Sequence, residues 1–186
     1  RKAVYDAFYP YFNGESNELM REINLGHYFL EGDSLNFDKL VEGFRKYVRR
    51  RGFRYFREKD EEGNWKSIKE AAIVYSFESF IQILLSLLDG KSYLEPHSGL
   101  ENSDLVINVA GVETVVDFKI FRDQLRYKKG KKQLACYCKS LSLPGGIYLV
   151  FVPTHYKELE LADGVETIDE VVIRSYIVWY DEKKDF

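Results

Sequence analysis

The order of segments along the chain predicts an α/β fold, layered around a mixed sheet. Helix and strand signals intermix rather than falling into separate blocks. The run Ile147 to Val152 is wholly apolar, as in a strand buried on both faces. Ser67 to Leu88 carries the strongest helical periodicity in the chain.

Each element has its own signal. Residues 1–34 are aromatic and irregular, with Tyr5, Phe8, Tyr9, Tyr11 and Phe12 before an Asn13-Gly14 turn, and short helical pieces are expected there. From Phe37 to about Arg51, Phe37, Leu40, Val41, Phe44 and Val48 recur at three and four, which predicts an amphipathic helix that Gly52 stops. Arg45 to Lys59 interleaves cations with Phe and Tyr. That pattern suits nucleic acid, but Arg49, Arg50 and Arg51 equally suit the negative end of a helix. Glu58 to Asn64 is a polar turn. Ile73, Phe77, Phe80, Ile81, Leu84, Leu85 and Leu88 define the next helix, ended by Asp89-Gly90.

Strands follow at Ser92 to Pro96, Asp104 to Val109 and Glu113 to Phe121, the last two joined by an Ala110-Gly111 hairpin turn. A basic loop then leads to a helix from about Lys131 to Leu141, which Pro144-Gly145-Gly146 breaks. Ile147 to Val152 and Val171 to Tyr180 supply the closing strands. This divides the chain into an N-terminal helical extension, 1–66, packed on a core, 67–186.

The 186 residues suffice for one domain with a sizeable core. The net charge of −3 gives no overall attraction to nucleic acid, so any such attraction must come from a local patch. Cys136 and Cys138, two apart on a helix, point to opposite sides and cannot share a metal. His27, His97 and His155 are far apart, so no zinc site is expected. Two scattered thiols suit a reducing, cytoplasmic setting. The best apolar run, Phe77 to Leu88, is interrupted by Glu78, Ser79, Gln82 and Ser86, so no membrane span is expected. No signal peptide is evident, and a start at Arg1 predicts a piece of a longer protein. Neither G-x-x-x-x-G-K nor G-x-G-x-x-G occurs.

The chemistry concentrates in Glu113 to Phe121. By strand alternation Val115, Asp117 and Lys119 share one face, and Val116, Phe118 and Ile120 the other. Charge on a central strand is costly unless it is paired or binds a metal. The hairpin can bring Asp104 alongside Asp117, with their carboxylates within roughly 6 Å. Two such carboxylates repel, and a divalent cation relieves that repulsion. A structural Asp–Lys ion pair would need no metal. Gln133 and Tyr137, four apart on one helix face, can either face a site or be a solvated residue and a core residue.

The run from Phe77 to Pro153 resembles the PD-(D/E)xK nuclease superfamily, and most of all the nuclease-like domains at the C-terminal end of certain bacterial AAA-ATPase-like proteins. The segments that carry the resemblance are Y-S-F-E-S-F, Y-L-E-P-H, G-L-E-N-S-D-L-V-I, V-V-D-F-K-I-F-R-D, K-K-Q-L-A-C-Y and G-G-I-Y-L-V-F. It implies a restriction-endonuclease-like αβββαβ core. Asp104 and Asp117 match the metal-binding acids, Lys119 the catalytic lysine, Gln133 and Tyr137 the helix pair, Glu78 the helix acid and Glu95 the strand acid. Asp117 stands where glutamate is commoner, and Asn102-Ser103 precede Asp104 without the usual arginine.

What the resemblance implies is an enzyme hydrolysing DNA phosphodiester bonds with Mg²⁺, or Mn²⁺ as substitute. Asp104, Asp117 and Glu95 would hold the metal. Arg122, Arg126, Lys128, Lys129, Lys131 and Lys132, in the basic loop, would meet the nucleic-acid backbone. The partners it implies are DNA, an AAA-ATPase-like domain of the same full-length protein and, as one option, a second copy of the chain. The alternative is a catalytically inactive module of the same fold that binds nucleic acid or the ATPase domain.

Overall fold

The computed structural model describes residues 29–52, 56–96 and 103–181, without the side chains of residues 95, 96, 103 and 104. The helical pieces expected within 1–28 lie outside the described residues. The part that is described, 29–35, is not helical. It is a small hairpin of β1 (Leu30–Glu31) and β2 (Ser34–Leu35), turned at Gly32 with φ 63°.

Helix α1 (Phe37–Arg51) starts where the Asn36 side chain accepts from the Lys39 amide. It ends where Gly52, φ 72°, donates to Val48 O. Helix α2 (Glu70–Leu87) follows. By length and mean hydropathy, 1.3, α2 could cross a membrane. Its Ile73, Val74, Phe77, Ile81, Leu84 and Leu85 are nevertheless in the core.

The sheet comprises β3 (Lys91–Pro96), β4 (Ser103–Val109), β5 (Val112–Ile120), β6 (Gly145–Pro153), β7 (Gly164–Ile168) and β8 (Val171–Tyr180). Their spatial order is β3-β4-β5-β6-β8-β7. The pairs β5–β6 and β6–β8 are parallel and the rest antiparallel, so the sheet is mixed. Ala110 and Gly111, φ 52° and 82°, make the tight β4–β5 turn that the sequence predicts. Strand β7, absent from the sequence reading, reverses into β8 through Asp169 and Glu170, both at positive φ.

Helix α3 (Gln124–Ser140) begins about two turns before the expected Lys131. Asp123 caps it, its side chain accepting from the Arg126 amide at 2.7 Å. The expected basic loop is therefore helix. Gly130, which reads as a loop residue, lies inside it and is buried.

Two apolar clusters sandwich the sheet. One joins Leu40, Val41, Phe44 and Val48 of α1 and the apolar face of α2 to Val116, Phe118, Leu149 and Phe151. Phe44 is the hub, with Phe77, Phe80 and Phe151 rings around it. Helix α1 thus contributes to the central core. The other cluster packs Leu134, Ala135 and Cys138 of α3 against Val106, Val115, Tyr148 and Val150.

Strand β7 pairs with β8 only as far as Ser175. Beyond that point Asp163 accepts from the Ile177 amide at 2.8 Å, and the Arg45 guanidinium donates to Ile177 O at 2.6 Å and to Asp163 at 2.6 Å.

Candidate active site

The face alternation predicted for β5 is present. Val116 and Phe118 join the α1/α2 cluster, and Val115 joins the α3 cluster. Asp117 and Lys119, in register with Val115, take the α3 side. The Lys119 Nζ stands 2.7 Å from Asp117 Oδ1 and 3.3 Å from Phe118 O. Only 7% of the Asp117 side chain and 21% of the Lys119 side chain are exposed, so this pair is largely shielded from water.

The register brings other acids to the same row. Leu105 pairs with Val116, and one residue further out on each strand are Asp104 and Asp117. Glu95 on β3 is the direct partner of Asp104. Glu95, Asp104 and Asp117 therefore occupy successive positions across three neighbouring strands. The approach of the Asp104 and Asp117 carboxylates to roughly 6 Å concerns a side chain outside the described ones, as does any contact of Glu95. Among the described residues, no three His, Cys, Asp or Glu side chains come together.

Glu70 is the acid that sequence reasoning missed. It opens α2, accepts from the Ile120 amide at 3.3 Å and stands 3.8 Å from Lys119 Nζ. Glu78, the helix acid expected from the resemblance, lies about two turns on. It accepts instead from Ser92 Oγ on β3 at 3.2 Å, beside Gln82. Both acids belong to one helix. Only the sliding position of α2 against β5 selects between them, and no local sequence signal encodes that.

Lys119 and Glu70 border a cleft of about 590 Å³ at the carboxyl end of the parallel pair β5–β6, where ligands of open α/β sheets commonly bind. Its walls include Lys69, Glu70, Lys119, Arg122, Arg126, Tyr127 and Tyr148. The amino ends of α2 and α3 both reach it, and a helix amino end favours negative charge. On β6, Tyr148 is the direct neighbour of Asp117. Burial above all, then the nearby Asp117 charge, holds its phenol well above the usual range, so it stays a neutral donor.

The other predicted residues divide along α3. Arg126, Gly130, Gln133 and Tyr137 follow one another down one side of the helix. Gln133 is exposed and Tyr137 is half-buried against the α3 cluster. Lys128, Lys129 and Lys132 are exposed, and none has an ion-pair partner among the described residues. Lys131 differs from them. It is buried, ion-paired to Glu166 of β7, and lies over the Tyr127 ring. It therefore ties α3 to the sheet and is not presented to solvent as a backbone-binding residue would be. Arg126 pairs with its own cap, Asp123, and Arg122 is exposed at the cleft rim.

The earlier basic-aromatic stretch is absorbed by structure at several points. Arg45 binds the end of β8, Arg51 lies over Tyr47, and Arg57 and Lys59 flank Trp65. Cys136 is exposed and Cys138 buried, on opposite sides as the spacing predicts.

The acidic residues on this row and at the start of α2 offer oxygen alone: Asp117, with Asp104 and Glu95 at successive backbone positions, and Glu70. Such a set suits a hard divalent cation better than zinc. Set against known protein families, characterised proteins and solved structures, the chain matches none.

Proposed function

We propose that this cleft is a metal-dependent phosphodiesterase site acting on nucleic acid, with DNA as substrate, built on a restriction-endonuclease-like version of the α/β fold. One observation carries the reading. A nearly buried carboxylate and a lysine share one face of a central strand, at the end of a row of acids, and the lysine lines a cleft rimmed by cations. Core packing does not call for charge there, and burying it without a ligand is costly.

Asp117 with Asp104 and Glu95 would hold Mg²⁺ or Mn²⁺. Bound there, the cation supplies charge that polarises a phosphate oxygen and acidifies a water. The protein's own groups do the rest. Lys119 Nζ donates to a non-bridging phosphate oxygen as negative charge develops on it. The Glu70 carboxylate, 3.8 Å away, attracts that ammonium from the start of α2. Arg122 and Arg126 attract the strand electrostatically, and exposed Lys128, Lys129 and Lys132 extend the cationic track.

A second reading has an observation of its own. Asp117 and Lys119 already neutralise one another at 2.7 Å, as a non-catalytic module would need. The two readings part in a cleavage assay. Plasmid and labelled oligonucleotides are incubated with Mg²⁺ or Mn²⁺, with and without chelator, using wild type and Asp117→Asn. Metal-dependent cleavage that Asp117→Asn abolishes supports the enzyme. DNA binding without cleavage by wild type under any divalent ion supports the module and overturns the enzyme.

A further inference from the structure

Tyr148 combines four observations that packing alone leaves unconnected. It is 1% exposed, yet it lines the cleft. It sits beside Asp117 in the β5–β6 register. Its hydroxyl makes no hydrogen bond among the described residues, while the one buried side-chain oxygen found without a partner there is Ser175 Oγ. A buried phenol normally finds a partner; this oxygen lies beside Gly130, on a residue that lines the cleft. Finally, α3 carries a glycine opposite it. A Cβ at Gly130 would overlap the hydroxyl and approach the ring Cζ to 2.9 Å. A helix-weakening residue therefore stands mid-helix, on the spot that leaves room for the phenol.

We propose that Tyr148 is a further substrate-contacting residue of this cleft, its hydroxyl donating a hydrogen bond to a phosphate oxygen of the strand bound there; the inference rests on the phosphodiesterase reading above. The ligand must offer an acceptor, because a phenol hydroxyl with no acceptor among the described residues has its proton to donate. It must also be reached from the α3 side, where Arg126 and the exposed lysines lie. Tyr127, whose ring centroid is 5.6 Å from that of Tyr148, holds the ring in place.

The test uses Tyr148→Phe, which removes one oxygen and keeps the packed ring. Cleavage of an oligonucleotide in Mn²⁺ should fall on the order of 10- to 100-fold in kcat/KM, the scale of one lost hydrogen bond to a charged group. Mn²⁺ affinity and melting temperature should stay at wild-type values. In Ca²⁺, the variant should bind the phosphodiester oligonucleotide more weakly than wild type does. With a methylphosphonate analogue, which keeps a phosphoryl oxygen but loses the negative charge, the difference between the two proteins should shrink. A wild type that cleaves and a Tyr148→Phe that cleaves equally well would overturn this inference alone. A variant that loses Mn²⁺ affinity would also overturn it, since Tyr148 would then act through the metal. A wild type with no cleavage would overturn the phosphodiesterase reading, and this inference with it.

Discussion

Replacing Lys119 with Met separates a self-contained ion pair from a cation site. Met keeps most of the stem and removes the charge, leaving the Asp117 carboxylate, 7% exposed, without its 2.7 Å partner. Breaking a fully buried pair costs about 3–5 kcal/mol. Lys119 is 21% exposed on an open cleft, so water offsets part of that cost, and about 2–3 kcal/mol is expected here. In a chain of this size that lowers Tm by about 5–10 °C. If Asp117 is a metal ligand, Mn²⁺ should take over the lost charge. At a hundredfold excess over Kd it returns about 2.7 kcal/mol, enough to restore most of the melting temperature. Wild type should gain less, because its lysine competes. The assay is thermal unfolding of wild type, Lys119→Met and Asp117→Asn/Lys119→Met, with chelator and with Mn²⁺. A Lys119→Met protein that is destabilised but indifferent to Mn²⁺, with a double variant near wild type in both conditions, would refute the cation site.

Three further outcomes follow from the geometry. Replacing exposed Lys128, Lys129 and Lys132 with Ala should weaken DNA binding for all sequences alike and reduce the log–log salt slope by about 0.9 per lost contact; Lys131→Ala should instead lower the melting temperature, because that amine is buried against Glu166. Gly130→Ala, favourable for an isolated helix by about 1 kcal/mol, should destabilise the protein, because the Tyr148 ring and hydroxyl already fill the space, and chemical denaturation measures the sign. The Tyr176 phenol is raised above its ordinary value of 10.0, first by burial and then by its 2.8 Å hydrogen bond to Asp38. Because the folded state keeps this proton after the unfolded chain releases it, stability is full below pH 10 and falls as pH rises above it. Tyr176→Phe should flatten that alkaline loss in a melting series.

Much of the fold can be read locally, and the failures share a cause. The apolar run of β6, the Ala110-Gly111 turn and the two faces of β5 are set by neighbours in sequence, and each is found where the residues predict. Gly130 reads as a loop because its reason for standing in a helix is Tyr148, on a strand that follows it in the chain. Strand β7 reads as loop because Gly-Val-Glu-Thr-Ile is largely exposed and held by pairing with β8 rather than by an apolar face. Glu70 and Glu78 cannot be ranked without knowing how far α2 slides along the sheet. Asp117 and Lys119 stand out in sequence because period-two alternation alone exposes a charged pair among the apolar Val115, Val116, Phe118 and Ile120.

The clasp of Arg45 and Asp163 on Ile177 has a consequence for shortened chains. Among the described residues, half of β8 has no neighbouring strand on its outer side, and a bare strand there would be a template for another molecule's backbone. The guanidinium and carboxylate occupy the hydrogen-bonding positions such a strand would need, and the guanidinium comes from a helix far away in sequence. A chain trimmed to begin after α1 would lose more than apolar cover for Phe118 and Phe151. It would also open a sheet margin to recruitment, and polymerisation, rather than simple unfolding, is the expected fate of such a fragment at high concentration.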